Sequence, residues 1–312
     1  MRVLTECFSS PRGDRMAIAQ SGNTPDRLWL CMADSNRTRV LSRALAKGLG
    51  MTVYLGPTMD QEGPVAMIVA DDAHAARIAE ARTNAAPRQR SLLVTAGTRR
   101  SGADIFLDHD ADAGTVANAI DGLRAFRAHE LAIPDDAAIG LGATQSLEAG
   151  EFSIQTRQQA SDVAILLGRA TPRPCATAVG LYVLLANAIE HGNLGFDATE
   201  KAKGLAEGNW DRKLAKRMSE PEFENRRVSL RFQRGGRILS FIIQDDGEGI
   251  DAETAEMADP SRAGYRGKGI KLAKSMGFAQ VTYLGVGNTV EAAILLPQTA
   301  EDGQAARAAM AR

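Results

Sequence analysis

The stretch LLANAIEHGNLGF, residues 184–196, decides how the second half of this chain is interpreted. It continues an apolar run that begins after Pro174, a residue suited to the first turn of a helix because it has no N–H to leave unpaired. Asn187, Glu190 and His191 follow at spacings of three and four, so a helix places them on one face. The pattern predicts a core helix whose last turn carries polar side chains and ends at glycine.

Two later segments combine glycine with polar residues in the same way. A strand-like run enters DDGEG (245–249), where glycine lets the backbone approach a flat ligand and a carboxylate can accept a hydrogen bond from an amine such as that of adenine. GKG (267–269) precedes a helical run, whose free N–H groups suit phosphate. An Asn side chain offers the carbonyl oxygen that Mg²⁺ accepts beside phosphate oxygens. The predicted ligand-binding residues are Asn187 for the metal and Asp245, Gly247, Gly249, Gly267, Lys268 and Gly269 for ATP.

In this order, the segments resemble the Bergerat-fold ATPase domain of the GHKL superfamily. Asn187 resembles its N box, Asp245-x-Gly247-x-Gly249 its first glycine box and Gly267-x-Gly269 its second. The amino-acid sequences of these boxes are similar to those of the anti-sigma-factor serine-kinase-like and histidine-kinase-like members. The resemblance implies an α/β sandwich in 151–297, with a mixed sheet backed by helices, that binds ATP and Mg²⁺ under a lid at 251–266.

One position departs from the kinase pattern. Where the family has a Glu one turn before the Asn, this chain has Val183, which cannot accept a proton. Because a general base contributes about 10²–10⁴ in rate, phosphotransfer to Ser or Thr is expected to be impaired or absent. Glu190 and His191 are the weak catalytic candidates on the same face. The alternative is a non-catalytic regulator that binds a partner, a pseudokinase joined to a pseudo-receiver.

The first half of the chain, 27–130, alternates strand-like and helical runs, which predicts a parallel α/β sheet with right-handed crossovers. It resembles, more weakly, a response-regulator receiver. Asp34 corresponds to one acid at the end of the first strand, and Asp71 or Asp72 corresponds to the phosphoacceptor. Thr95 corresponds to the switch residue.

Two substitutions weaken this second resemblance. Ser35 stands where the second metal-binding acid would be, and His109 stands where the receiver has lysine. Phosphoryl transfer requires the charge at the transferred group to be neutralised. We therefore predict a degenerate receiver that is not phosphorylated and serves dimerisation or partner docking.

The composition of the chain limits which partners, metal sites and membrane segments can be expected. The 312 residues carry a net charge of -1, so no basic excess indicates a nucleic-acid partner. Three widely spaced cysteines predict neither a disulfide framework nor a zinc site, and no apolar run approaches the roughly 18 residues of a membrane span. We expect a cytoplasmic two-component or anti-sigma-type protein with a signalling partner, and a homodimer is compatible with this. The predicted divisions are a flexible arm 1–26, the receiver-like domain 27–130, a linker 131–150, the ATPase-like domain 151–297 and a tail 298–312.

Overall fold

The computed structural model describes residues 27–58, 63–97, 102–132, 147–249 and 276–296. The predicted arm, the predicted tail, the lid at 251–266 and the second glycine box at 267–269 lie outside these residues. The described residues form two five-stranded sheets with helices, which confirms the predicted α/β class. The strands of the first sheet lie between residues 27 and 108, and those of the second lie between residues 149 and 295, so the second sheet starts two residues before the predicted boundary at 151.

The first sheet is parallel between all of its neighbouring strands, in the order β2-β1-β3-β4-β5. This is one of the common doubly wound orders, in which the connections reverse direction along the sheet. Parallel strands that are covered on both faces are nearly continuous apolar runs, and only the last residue of β3 is not buried. The strands are β1 (Arg27–Cys31), β2 (Thr52–Leu55), β3 (Val65–Asp71), β4 (Ala85–Thr95) and β5 (Ile105–Asp108).

Three α-helices belong to this half: α1 (Ser35–Arg43), α2 (Arg77–Ala81) and α3 (Ala113–Ala132). A π-helical turn, Ala44–Gly48, continues α1. The sequence AHAARIAEART, residues 73–83, favours a helix over its whole length, but only the five residues of α2 are α-helical. The Asp71 side chain caps a 3₁₀ turn just before α2, and this tighter turn replaces the first part of the predicted helix.

The second sheet has the order β6-β7-β8-β10-β9, and every described pair of strands is antiparallel. The prediction of a mixed sheet is therefore wrong for the described strands. β8 and β9 point the same way, but the β9–β10 hairpin places β10 between them, so no parallel pair forms. The strands are β6 (Ala149–Ile154), β7 (Val228–Gly235), β8 (Ile238–Gln244), β9 (Gln280–Leu284) and β10 (Thr289–Leu295).

Helices cover one face of this antiparallel sheet. The inward side chains Phe241 and Ile243 share a core with the central helix α5, which is buried from Ala176 to Ala186. A capping box between Thr156 and Gln159 starts α4. No helix among the described residues combines the length and apolar character needed to cross a membrane. The helices are α4 (Arg157–Gly168), α5 (Pro174–Asn187), α6 (Ala198–Glu207) and α7 (Trp210–Met218).

The two halves share one hydrophobic core. Val116 and Ile120 of α3 belong to the same buried cluster as Val179 and Tyr182 of α5. The helices approach closely at Gly122, where an added Cβ would lie 3.0 Å from the Tyr182 ring. α3 follows the parallel sheet in sequence, so its packing against α5 fixes the first half against the helices of the second.

Candidate functional site

A cleft lies where the C-terminal end of α5 meets the end of β8 and the β9–β10 hairpin. The cavity in this cleft is small, with about 20 Å³ available to the centre of a water-sized sphere. The cleft therefore brings the predicted N box and the predicted first glycine box together. Its lining residues are Leu184, Asn187, Ala188, His191, Gly192, Ile243, Asp245, Tyr283, Gly287 and Val290.

Asp245 is the first residue after β8, and hydrogen bonds fix its backbone to the β9–β10 hairpin. Its N–H donates to the Asn288 carbonyl at 3.0 Å, and the Asn288 Nδ2 donates to the Asp245 carbonyl at 3.2 Å. The Asp245 Oδ1 accepts a hydrogen bond from the Gly247 N–H at 2.9 Å. The half-buried carboxylate is thus held at the cleft by its own strand and by the hairpin.

Two predicted glycines are required by close backbone contacts around this carboxylate. A Cβ on Gly247 would lie 2.5 Å from the Gly192 carbonyl oxygen. Gly249 has φ +81°, and a Cβ there would lie 2.2 Å from the Val286 carbonyl oxygen. Larger residues do not fit at these positions, so the glycine pattern reflects how closely the strand end packs against the helix end.

Gly192 also lines the cleft, whereas the sequence analysis treated it only as the glycine that ends the helix. A Cβ at this position would lie within 2.2–2.6 Å of the Asp245 carboxylate atoms. Its only signal in the sequence was a small residue directly after His191. Glycine at this position lets the helix end and the carboxylate share one wall of the cleft.

The side chain of Asn187 has an unsatisfied acceptor in the same cleft. Its Oδ1 is buried and has no hydrogen-bond partner among the described residues. Leaving a buried acceptor unpaired costs about 1–3 kcal/mol, so such an atom suggests a missing partner. An amide oxygen is an appropriate ligand for Mg²⁺. Over the described ranges there is no group of three or more His, Cys, Asp or Glu side chains that could hold a metal, so a metal here would need further oxygens from a ligand.

Glu190 does not line the cleft. The chain after α5 continues as a π-helical turn, Ala188–Asn193, in which the Leu194 N–H reaches the Ile189 carbonyl at 2.9 Å. This turn carries His191 and Gly192 at the cleft, while Glu190 is fully buried and ion-paired with the Lys201 Nζ at 2.5 Å. Burial alone would raise the pKa of Glu190, but the neighbouring cations Lys201 and Arg157 outweigh it and lower the pKa below its usual value. Its carboxylate is committed to a structural ion pair.

The two remaining positions considered for catalysis are Val183 and His191. Val183 is buried one turn before Asn187 and belongs to the hydrophobic core. His191 lines the cleft, and its Nδ1 contacts the Phe196 carbonyl oxygen. Of the two weak catalytic candidates, the structure therefore places only His191 at the cleft.

Hydrogen bonds to the residues just after α5 fix the floor of the cleft on its side away from the cavity. The Asn193 Oδ1 accepts a hydrogen bond from the Asp246 N–H at 2.7 Å, which joins the helix end to the strand end. The guanidinium of Arg226 donates to the Asn193 carbonyl, and that of Arg217 donates to the Leu194 carbonyl, each at 2.9 Å. Sequence reasoning missed Asn193 and these two arginines, because their roles depend on elements that are distant in sequence.

The predicted receiver acids Asp71 and Asp72 lie at the C-terminal edge of the parallel sheet, where groups of neighbouring loops engage their carboxylates. The Asp71 Oδ2 accepts a hydrogen bond from the Ala33 N–H at 2.6 Å, and its Oδ1 contacts the His74 Nδ1 at 2.8 Å. The Asp72 Oδ2 accepts one from the Ala96 N–H at 2.9 Å. These carboxylates hold neighbouring loops together.

The remaining receiver positions have structural partners as well. The Asp34 Oδ1 accepts hydrogen bonds from the Asn36 and Arg37 N–H groups and so caps α1. The Thr95 Oγ1 accepts one from the Gly97 N–H at 2.9 Å. His109, at the lysine position, has an exposed side chain paired with the Asp108 carboxylate at 2.9 Å.

Comparison of the chain with protein-family models, with curated proteins and with solved structures gives no match. The family resemblances therefore rest on the residues quoted above.

Proposed function

We propose that the cleft binds ATP together with Mg²⁺, and that the protein is a bacterial signal-transduction protein of the GHKL type with little or no phosphotransfer activity. One observation carries the proposal. A buried, unpartnered amide oxygen of Asn187 and a carboxylate of Asp245 seated against Gly192 line the same cleft.

The base end of the nucleotide is assigned to Asp245. Its carboxylate accepts a hydrogen bond from the exocyclic amine of adenine, and Ile243 and Val290 supply apolar surface for the flat ring. Guanine presents a carbonyl oxygen where adenine has this amine. Because an oxygen facing the carboxylate is repelled, the cleft should discriminate against GTP.

The phosphate end is assigned to Asn187 and to the predicted second glycine box. Asn187 supplies one oxygen to Mg²⁺, and the nucleotide supplies others. When bound, Mg²⁺ neutralises charge on the phosphates. Gly267, Lys268 and Gly269 are proposed to bind the phosphates and lie outside the described residues.

The proposed lack of efficient catalysis follows from two positions. Val183 is buried where the kinase pattern has its general base, and the carboxylate of Glu190 is engaged with Lys201. Any remaining phosphoryl transfer would be to Ser or Thr on a signalling partner, such as an anti-sigma antagonist. The parallel half has a strand order compatible with a receiver, and the hydrogen bonds that engage the Asp71 and Asp72 carboxylates support a half that is not phosphorylated, for which docking or dimerisation is the proposed task.

The test of nucleotide binding is titration calorimetry with ATP and Mg²⁺. We expect Asp245→Asn to weaken binding at least tenfold, since a charge-assisted hydrogen bond contributes about 1.5–3 kcal/mol. Asp246→Asn is the matched control, because its exposed carboxylate accepts a hydrogen bond from the Arg227 N–H and lies outside the cleft. Absence of ATP binding by the wild type, or equal binding by both variants, would refute the proposal.

A second candidate function is a partner-binding regulator in which nucleotide has no role. The burial of Val183 favours it. Titration with ATP and Mg²⁺ separates the two functions, because only the first requires the wild type to bind nucleotide, and incubation with labelled ATP and candidate partners then tests for phosphotransfer. Label transfer that is lost in Asn187→Ala would show that the protein is a kinase despite Val183.

A further inference from the structure

A row of four charged side chains of alternating sign connects α3 with the floor of the cleft. In order they are Asp121, Arg157, Glu190 and Lys201, and they are carried by α3, by α4, by the π-helical turn after α5 and by α6. We call these four residues the charge chain. The receiver-like half contributes the first, and the third directly precedes His191 and Gly192 at the cleft.

The cleft end of the charge chain is fully enclosed. Glu190 and Lys201 have side-chain exposures of 0% and 1%. The indole Nε1 of Trp210 donates to the Glu190 Oε1 at 3.3 Å, and the Arg157 Nε lies 3.5 Å from the same oxygen. A buried carboxylate requires such compensation, so the position of the π-helical turn depends on cations from two other helices.

The other end reaches α3 through the guanidinium of Arg157. Its Nη2 donates to the Asp121 Oδ2 at 2.6 Å, and the Tyr182 hydroxyl donates to the same oxygen at 2.5 Å. Arg124 also donates to the Asp121 Oδ1, at 3.1 Å. A shift of α3 along α5 would therefore withdraw a carboxylate from Arg157 and change the charge balance around Glu190.

The charge balance around Glu190 affects the cleft because Glu190 lies in the π-helical turn that also carries His191 and Gly192. π-Helical turns are rare and occur frequently at functional sites. In this one, the N–H of Leu194 and that of Phe196 bond to the carbonyls of Ile189 and Glu190. Hydrogen exchange at these two amides therefore measures the conformation of the cleft floor. Neither amide is in contact with Asp121, so a change in exchange on mutation of Asp121 is an indirect effect.

We infer that Arg157 and Lys201 are positioning residues for the cleft, and that the charge chain couples the seating of α3 to the conformation of the cleft floor. Its use in regulation rests on the proposed nucleotide binding. A partner that moves α3 then changes nucleotide affinity, and by linkage nucleotide changes the affinity for that partner.

Hydrogen exchange of the nucleotide-free protein tests the coupling directly. We expect Asp121→Asn to accelerate exchange of the Leu194 and Phe196 amides about tenfold. Glu130→Gln is the matched control, since it also removes an α3 carboxylate paired with an arginine, but that arginine is Arg90 of β4 and lies outside the charge chain. Equal exchange of these two amides in both variants would overturn the inference.

Tyr182→Phe provides a second variant if Asp121→Asn does not fold. It keeps the ring and removes only the hydroxyl between Asp121 and Arg157, and we expect faster exchange at the same two amides. Unchanged exchange in this variant would contradict the coupling.

Calorimetry then measures the regulatory consequence. We expect ATP–Mg²⁺ affinity to fall at least fivefold in Asp121→Asn and less than twofold in Glu130→Gln. If the wild type binds nucleotide and the two variants bind equally, the regulatory role is wrong while the proposed function stands. If the wild type binds none, the proposed function fails, and the exchange result alone decides the coupling.

Discussion

The carboxylate of Asp245 lies directly against the backbone of Gly192, so closely that a Cβ on Gly192 would come within 2.2 Å of the Asp245 Cγ. One residue ends a strand of the antiparallel sheet, and the other lies in the π-helical turn that follows the central helix. Their contact brings two glycine-rich segments, more than 50 residues apart, to one cleft.

Gly192→Ala tests this contact. The added methyl group must displace the Asp245 carboxylate or the helix end, so we expect a loss of about 1–3 kcal/mol in the free energy of unfolding, together with weaker ATP binding. Urea denaturation and calorimetry measure the two effects. Gly235→Ala is the control, because a Cβ there meets nothing within 4 Å. Equal stability of the two variants would contradict the close contact.

Asn187→Leu separates stability from binding at the cleft. It replaces a buried, unpaired acceptor with an apolar group of similar size, so we expect the nucleotide-free protein to gain about 1 kcal/mol in its free energy of unfolding. The same change should abolish any Mg²⁺ dependence of ATP binding. Asn225→Leu, at an exposed amide, is the control. A destabilised Asn187→Leu variant would mean that the amide oxygen has a partner in solution.

Lys201→Met removes one member of the enclosed ion pair. Because Glu190 then stays buried with less compensation, we expect a loss of about 3–5 kcal/mol in the free energy of unfolding. The double variant Glu190→Gln, Lys201→Met should recover most of this loss in urea denaturation. Lys203→Met removes an exposed lysine of the same helix and should change stability by less than about 1 kcal/mol. A loss in the double variant as large as that in Lys201→Met would exclude the ion pair as the cause.

The lowered pKa of Glu190 gives a pH dependence with a definite sign. The unfolded chain, with its ordinary glutamate pKa of 4.5, binds the proton more tightly than the folded protein does. The stabilisation by this carboxylate is therefore present above about pH 4.5 and is lost as the pH falls through the folded-state pKa. Urea denaturation from pH 7 down to pH 3 should show the stability difference between wild type and Glu190→Gln narrowing below about pH 4.5. A difference that stays constant over this range would show that Glu190 does not titrate with folding.

Asp71→Ala tests the capping role assigned at the parallel sheet. Loss of its hydrogen bonds to the Ala33 and His74 amides should lower the free energy of unfolding by about 1–2 kcal/mol. Beryllofluoride should leave the thermal stability of the wild type unchanged. Asp162→Ala, at an exposed residue of α4, is the control for removing a carboxylate. A beryllofluoride response that is lost in Asp71→Asn would show that the receiver-like half is a working phosphoacceptor.

Much of the fold could be predicted from local patterns. Apolar runs such as 65–70 and 91–95 marked the strands of the parallel sheet, and Pro174 marked the start of the central helix. These signals depend on apolar periodicity and on helix capping within a few residues, so the sequence alone contains them. Glycine turns at 234–236 and 285–287 also indicated two hairpins of the second sheet, and both pair as antiparallel strands. The strand orders of the two sheets were not accessible in this way, because they depend on which distant segments meet.

The sequence by itself determined the α/β class, most of the elements and the presence of Asn187 and Asp245 at the ends of a helix and a strand. Only the tertiary structure decided that Glu190 turns away from the cleft to meet Lys201, that Gly192 seats a carboxylate and that Asp71 caps a loop. The physical reason is that helix and strand formation is governed by near neighbours along the chain. The partner of a buried charge, by contrast, is whichever group the packing of distant elements brings within hydrogen-bond distance.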